Sequence, residues 1–379
     1  MAKLGEVCTI VSGSTPKTSV TSYWDGNIKW ITPAELNEDT FYIMDSVRHI
    51  TEEGKEKTGL SYLPTGTVIL SSRAPIGKTA IAGCEMCCNQ GFKNLICSDA
   101  VYNEYLYFFL KSKTDYLNSL GRGATFKEIS KSIVENIEIP LPEVNQQKEI
   151  AEKFKKLEQL ISLRKQQLAK LDGLIKAQFA NTFENDANFH TDYMENLSEF
   201  VTVGIANSAT HAYAEHGVVM LRNQNIKENH LDDTELVYIE PKFADKYKSK
   251  KLEANDILVT RTGYPGIACV VPQKYAGSQT FTTLIIRLKK GTNASSCYIC
   301  HYINSSHGKK YVSGTKVGVA QQNFGAKVLA KMPVIVPPIE LQNQFATFVA
   351  RIDQQKQTVQ QSLEKLELMK KALMQEYFG

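Results

Sequence analysis

The chain has 379 residues, 42% hydrophobic and 22% charged, with 44 Lys/Arg against 40 Asp/Glu and a formal net charge of +4. That is a soluble globular composition, and length alone suggests two or three domains, so a low-complexity chain is excluded. No run of 18 apolar residues occurs, and Met1 to Glu6 lack a cationic, apolar leader pattern. Neither secretion nor a membrane span is expected, and eight irregularly spaced cysteines read as reduced thiols of the cytoplasm.

Residues 1–139 read as an α/β block. Short β-rich runs (Val7–Val11, Ile28–Thr32, Thr67–Ser72, Thr79–Ala82, Leu95–Cys97) alternate with Gly, Pro, Asn and Ser clusters. Asn103–Ser112 is apolar enough for a buried helix, and Thr125–Val134 predicts a second, shorter one.

The next stretch organises the chain, because it occurs twice. Pro142–Phe183 and Pro337–Phe378 superpose with an offset of 195, pairing Gln147 with Gln342, Leu168 with Leu363 and Phe183 with Phe378. Each copy follows a β-type run that ends at proline, then has no further Pro and almost no Gly for about 40 residues. In the first copy Ile150, Phe154, Leu157, Ile161, Leu168, Leu171 and Ile175 keep steps of four and three, interrupted by Arg164. In the second, Phe345, Val349, Ile352, Val359, Leu363, Leu366 and Leu373 do so, interrupted by Lys356 and Lys370. A sustained seven-residue repeat predicts two helices, each roughly 55–60 Å long, pairing along a narrow seam.

Equal lengths predict antiparallel pairing with opposed residue numbers adding to about 522. Arg164 and Lys356 would then sit in a polar waist with Gln166, Gln167, Gln354, Gln355, Gln357, Gln360 and Gln361. Gln375–Gly379, as a terminus, is expected to fray cheaply.

Residues 184–195 are polar and acidic and read as a linker, after which residues 196–334 repeat the first block with little identity. Leu197-Ser-Glu-Phe-Val-Thr echoes Leu4-Gly-Glu-Val-Cys-Thr, and Ile257–Gly266 echoes Val68–Gly77. Ser278–Ile285 echoes Asn89–Ile96, and Tyr298–Ser305 echoes Tyr105–Ser112. The expected plan is an α/β fold of two pseudo-symmetric domains, 1–141 and 196–336, joined through 184–195 and separated by helices at 142–183 and 337–379 that form an antiparallel coiled coil. Two copies are too few for a solenoid.

Charge is divided unevenly. Residues 1–139 hold 14 Lys/Arg against 16 Asp/Glu, whereas 196–334 hold 17 against 10. One block is basic and the other is not, so wholesale electrostatic wrapping of nucleic acid is not indicated, and DNA binding would need local patches or a helper.

Both blocks carry an Arg in a tight hairpin, Arg73 with Lys78 nearby and Arg261 with Tyr264. Such loops on a rigid sheet can project Arg towards guanine or phosphate, although turn arginines are common on any surface. Ser14, Thr15 and Lys17 offer phosphate contacts in Ser12–Thr18, whose counterpart Gly204–Thr210 is uncharged. Arg222, Asn223, Asn225, Gln321 and Gln322 form Arg- and amide-rich segments, suited to adenine but also ordinary in turns. Gln90 and Gln279, at matching positions, could read bases or buttress the hairpin; Lys93, Arg122 and Lys316 complete the DNA-binding candidates.

Catalytic and metal signatures are absent from the sequence. Cys84-Glu-Met-Cys87 has no second ligand pair at zinc spacing, and Cys297-Tyr-Ile-Cys300-His301 matches haem attachment but aligns with the aromatic helix at Tyr105, where cysteines would be core filler. Gly121-Arg-Gly123 stops short of a dinucleotide loop, and no Walker, H-E-x-x-H or G-x-S-x-G pattern occurs. Val336-Pro-Pro-Ile339 lacks the leading amide or acid of the tetrad with which amino-methyltransferases hold a flipped base.

Ile139-Pro-Leu-Pro-Glu-Val-Asn-Gln-Gln-Lys-Glu-Ile150 and Val336-Pro-Pro-Ile-Glu-Leu-Gln-Asn-Gln-Phe345, each leading into a long helix, resemble the specificity (S) subunit of type I restriction–modification systems. The Leu-Gly-Glu start and Asn-Gln-Gly-Phe-Lys-Asn-Leu support this; Glu-Leu-Gln in the second copy departs from the usual Glu-Gln. The resemblance covers essentially the whole chain. It implies two target-recognition domains, each reading half of an asymmetric bipartite double-stranded DNA site, and an antiparallel helical spacer. It also implies docking of two methyltransferase (M) subunits and of restriction/translocase (R) subunits, with S-adenosylmethionine, ATP and Mg on those partners and no cofactor, metal or catalytic residue here. The competing expectations are a stand-alone DNA-modifying enzyme and a coiled-coil scaffold without a DNA role.

Overall fold

A computed structural model describes the chain except residues 74, 123–126, 185–188, 207–209 and 315–323. The chain divides into two units, Met1–Gln166 with Gln360–Gly379, and Gln167–Val359, so both boundaries fall inside the long helices. No helix among the described residues is long and apolar enough to cross a membrane.

The first unit is built on a five-stranded sheet in the order Cys8–Ser12, Phe92–Cys97, Val68–Ser71, Thr79–Ala82, Tyr42–Ile43. Its central strands are buried along their length, as the apolar run Val68-Ile-Leu requires. A second sheet orders Arg48–Ile50, Trp24–Ile31 and Cys87–Cys88, the last pair running parallel. Helix Asn103–Ser112 forms as predicted, burying Tyr105 to Leu110, whereas helix Thr114–Leu120 was not foreseen. The shorter helix expected at Thr125–Val134 is displaced: residues 127–130 are not helical, because Glu128 pairs with Arg122 and Ser130 caps the helix, which runs over Lys131–Glu135.

The second unit repeats this topology. Ser198–Val203, Leu284–Leu288, Ile257–Val259 and Ala268–Val270 stand in the order of the first unit's first four strands, all antiparallel. Val218–Leu221 pairs parallel with Gln279–Thr280 and antiparallel with Val237–Ile239. Helix Ser296–Asn304 occupies the place of Asn103–Ser112, and Cys300 lies in the core there, 1% exposed. Within the stretch read as a linker, His190–Tyr193 is a strand on Pro333–Val336, the counterpart of Ala2–Lys3 on Glu138–Ile139.

The repeated segments are helices Val144–Phe179 and Ile339–Phe378, the first extended by a wider turn over Ala180–Glu184. The seam positions Ile150, Phe154, Leu157, Ile161, Leu171, Ile175, Phe345, Val349, Ile352, Val359 and Leu363 are buried. Within each unit the two helical segments run antiparallel. In the first unit Lys370 Nζ meets Glu158 at 2.6 Å, and in the second Lys356 Nζ meets Asp172 at 2.6 Å.

The register differs from expectation. Both ion pairs join residue numbers that add to 528 rather than 522, so Lys356 faces Asp172 and not Gln166. Matching the helix ends by length missed what fixes the register, which is aromatic packing at those ends. Phe378 inserts among Tyr105, Phe109 and Phe154, with ring centroids at 5.3, 5.8 and 5.6 Å. Its counterpart Phe183 packs on Tyr298 and Phe345 at 4.9 and 5.5 Å. Cheap fraying of Gln375–Gly379 is therefore overturned: Phe378 is 1% exposed. The polar waist is corrected too, because Gln166, Gln167, Gln354, Gln355, Gln357, Gln360 and Gln361 are all exposed while Arg164 and Lys356 are half-buried. A neutral amide leaves water only for a paired partner, and the helix surface supplies water instead.

Candidate nucleic-acid interface

In each unit a hairpin loop closes over a hydroxyl. Ser71 Oγ donates to Pro75 O (2.8 Å) and accepts from Lys78 N (2.9 Å). Thr260 Oγ1 donates to Tyr264 O (2.7 Å) and accepts from Ile267 N (2.9 Å). The loops end in Gly77 and Gly266, at φ +96° and +88°, where an added Cβ would lie 2.9 and 2.7 Å from Thr114 and Val312. Positive φ and crowding together require glycine at both. This alignment makes Ser72, not Arg73, the counterpart of Arg261: the Ser72 carbonyl accepts from Ile129 N and that of Arg261 from Phe324 N. The two arginines thus sit one position apart on equivalent loops.

Around the first loop, Glu128 gathers the cations. Arg73 Nε donates to one of its oxygens at 2.9 Å and the largely buried Lys93 Nζ to the other at 3.2 Å. Burial works to raise the Glu128 pKa, but hydrogen bonds from Arg73 and Lys93 outweigh it and hold the carboxyl below its ordinary value. Arg122 is exposed and exchanges backbone hydrogen bonds with Glu128. Nothing in the sequence pattern marked Glu128, since tertiary folding alone brings it to strand Phe92–Cys97. Thr15 Oγ1 hydrogen-bonds Gln90, which is exposed, Ser14 is anchored through its backbone to Cys88 O and Trp30, and Lys17 is exposed. Lys78 turns inward, donating to Leu36 O (2.7 Å) and Pro33 O (3.3 Å), so its charge caps a turn.

In the second unit Arg222 and Asn223 leave the end of strand Val218–Leu221. Asn223 Nδ2 donates to Thr262 Oγ1 (2.9 Å), tying that turn to the hairpin, and Arg222 Nη2 donates to Glu235 O (2.9 Å). Asn223 Oδ1 and Arg222 Nε are buried and have no hydrogen-bond partner among the described residues. Arg261 is half-buried, whereas Tyr264 on the same loop is 84% exposed. Asn225 is spent on the fold, accepting from Arg222 N and donating to Asp232 O. Gln279 is fully buried and donates to Ala244 O (2.8 Å) and Tyr247 O (2.9 Å), which makes it a buttress. It is not at Gln90's position: it pairs with Met220 as Cys87 pairs with Trp30, while Gln90 lies beyond its strand. Lys316, Gln321 and Gln322 lie outside the described residues.

A sequence feature seen only as a repeat acquires a structural role. Gln147 and Gln342 are fully buried at the starts of the long helices, each clamping one loop of its own unit.

The molecule is a tandem α/β protein whose two equivalent units each offer a cationic, amide-bearing loop cluster. It belongs to the family described as type I restriction modification DNA specificity domain, whose model matches residues 1–172 and 194–368. The specificity subunit of type I restriction enzyme MjaIX of Methanocaldococcus jannaschii is 40% identical over 184 residues, 48% of this chain and 43% of that one. That of MjaVIII, from the same organism, is 23% identical over 304 residues, 74% of this chain and 70% of that one. The type I restriction–modification S subunit from M. genitalium shares the fold with a TM-score of 0.59 at 14% identity, over 100% of this chain and 95% of that one. A chain from a study of type I R-M complex assembly and conformational transition gives 0.64 at 16% identity, over 100% and 96%.

Proposed function

We propose that this chain is the sequence-reading, non-catalytic subunit of a type I restriction–modification complex in the cytoplasm. Residues 1–141 and 196–336 would each read one half of an asymmetric bipartite site in double-stranded DNA, with 142–183 and 337–379 as the spacer. The observation that carries this reading is the equivalence of the two loop clusters: one hydroxyl-closed hairpin per unit, with Arg73 on one and Arg261 on the other. In this reading Ser14, Thr15, Lys17, Arg73, Gln90 and Arg122 face DNA from the first unit, and Arg222, Asn223, Arg261 and Tyr264 from the second, while the buried Lys93 supports the first surface through Glu128. Lys78, Asn225 and Gln279 shape those surfaces, and Lys316, Gln321 and Gln322 remain candidates by sequence.

Phosphate neutralisation supplies most DNA affinity. The first block holds 14 Lys/Arg against 16 Asp/Glu, so two methyltransferase subunits would provide the grip and this chain the base readout. Large apolar side chains left exposed on both long helices, Leu160, Leu163 and Leu368 among them, fit a surface that partners cover. S-adenosylmethionine, ATP and Mg would belong to the methyltransferase and restriction/translocase subunits. Co-expression with the neighbouring methyltransferase, followed by mapping of methylated adenines across a host genome, tests the reading. A two-part motif is expected, and no new methylation would overturn it.

A further inference from the structure

Residues 196–334 carry seven more Lys/Arg than Asp/Glu, and ten residues account for most of that excess: 242–251 hold five Lys and one Asp. The segment comprises helix Pro241–Lys246 and the turn Lys248–Lys250. It is built into the fold rather than trailing from it. Phe243 and Ala244 are buried beneath it, and the fully buried Gln279 holds it by the Ala244 and Tyr247 carbonyls. Gln279 lies in the strand paired with Met220–Leu221, which leads into Arg222 and Asn223, so one strand pair fixes both.

The lysines themselves divide in two. Lys250 donates to Thr202 Oγ1 (2.7 Å) and Lys251 pairs with Asp245 (3.4 Å). Lys242, Lys246 and Lys248 are exposed and have no ion-pair partner among the described residues. Lys250 reaches Thr202 just before the loop at Gly204, the uncharged counterpart of the Lys17 loop; a cation absent from the local sequence arrives there through tertiary structure.

The first unit's equivalent differs. Helix Glu52–Thr58 likewise follows the strand antiparallel to the parallel-paired one, yet it holds three Glu and two Lys, with Lys55 paired to Glu52 at 2.6 Å. The unpaired cationic arm is a property of the second unit.

We propose that Lys242, Lys246 and Lys248 bind phosphates of the duplex next to the half-site read by the second unit. This rests on the reading of the chain as a DNA-recognition subunit. Three neutralised phosphates release counterions, and each contributes about 0.9 to the slope of log affinity against log salt. The test uses the full chain assembled with its methyltransferase subunits, on a duplex carrying the methylated site. The triple change Lys242→Gln, Lys246→Gln, Lys248→Gln should lower that slope by about 2–3 and leave the methylated sequence unchanged, and a triple Lys→Arg change should keep the slope. An unchanged slope for the Gln variant overturns the inference alone. An altered sequence preference overturns it too, because the lysines would then read bases. A wild-type complex without affinity for DNA overturns the underlying reading instead.

Discussion

Gln147 and Gln342 stand 195 residues apart and make the same three hydrogen bonds. Gln147 accepts from Tyr102 N (2.8 Å) and donates to Ala100 O (2.9 Å) and Pro142 O (2.8 Å). Gln342 accepts from Ser295 N (2.9 Å) and donates to Asn293 O and Pro337 O, both at 2.8 Å. Each amide thus fastens the first turn of a long helix to the loop that precedes the aromatic helix of its unit. Truncation strands buried backbone groups, at about 1–3 kcal/mol for an unsatisfied group. Gln147→Ala should destabilise the first unit and Gln342→Ala the second, each by about 2–3 kcal/mol, read as a lower urea midpoint with little change in slope. Equal loss from both units in either variant would show that the clamp is not local.

Phe378 anchors the end of the second helix in the first unit's aromatic cluster. Phe378→Ala should therefore cost about 3–5 kcal/mol, read by thermal or urea unfolding. The same anchor constrains spacer engineering. Four residues inserted after Leu168 alone add about 6 Å and rotate the rest of the helix by about 40° beyond a full turn, with no matching length in the returning helix. Stability and affinity should fall together. A second four-residue insertion after Val359, whose number adds to 528 with that of Ala169, should restore stability and leave both half-sites unchanged. The gap should then be one or two base pairs longer, at about 3.4 Å per base pair. Methylation mapping reads the gap, and an unchanged gap would mean that these helices do not set it.

Arg73 and Arg261 should each govern one half-site. Arg73→Ala and Arg261→Ala are expected to relax one half each, at about 1–3 kcal/mol for a lost bidentate guanine contact. Glu128→Gln removes the charge that holds Arg73 and Lys93, so it should weaken discrimination in the first half only. A change in salt sensitivity without a change in sequence preference would instead mark a phosphate contact.

His301 makes the second unit acid-sensitive. It stacks on Phe179 and meets Phe345 edge-on at 5.1 Å, and burial lowers its pKa to about 4, with Lys356 adding to the depression against an opposing Glu228. Above about pH 6.5 the ring is neutral folded or unfolded, so pH has no effect through it. Below that value the unfolded chain takes up the proton and the folded chain does not, so stability falls until about pH 4. The loss should reach about 2 kcal/mol by pH 5. Melting curves from pH 7.5 to 5 should show it in the wild type and a smaller loss in His301→Gln.

The sequence alone determined the plan: two similar α/β blocks, two long helices with a seven-residue seam, and antiparallel pairing. Local periodicity and a 195-residue repeat encode these directly, because burial of a helix stripe or a strand face depends on spacing within one segment. Tertiary structure decided the rest. The seam register came from where Phe183 and Phe378 find aromatic partners, not from helix length. Gln147 and Gln342 were visible as a repeat, but their buried role depends on loops 45 to 49 residues away. Among the loop candidates, Lys78, Lys93, Asn225 and Gln279 proved internal and Arg73 proved paired to Glu128, since a side chain's availability depends on neighbours that no local pattern names.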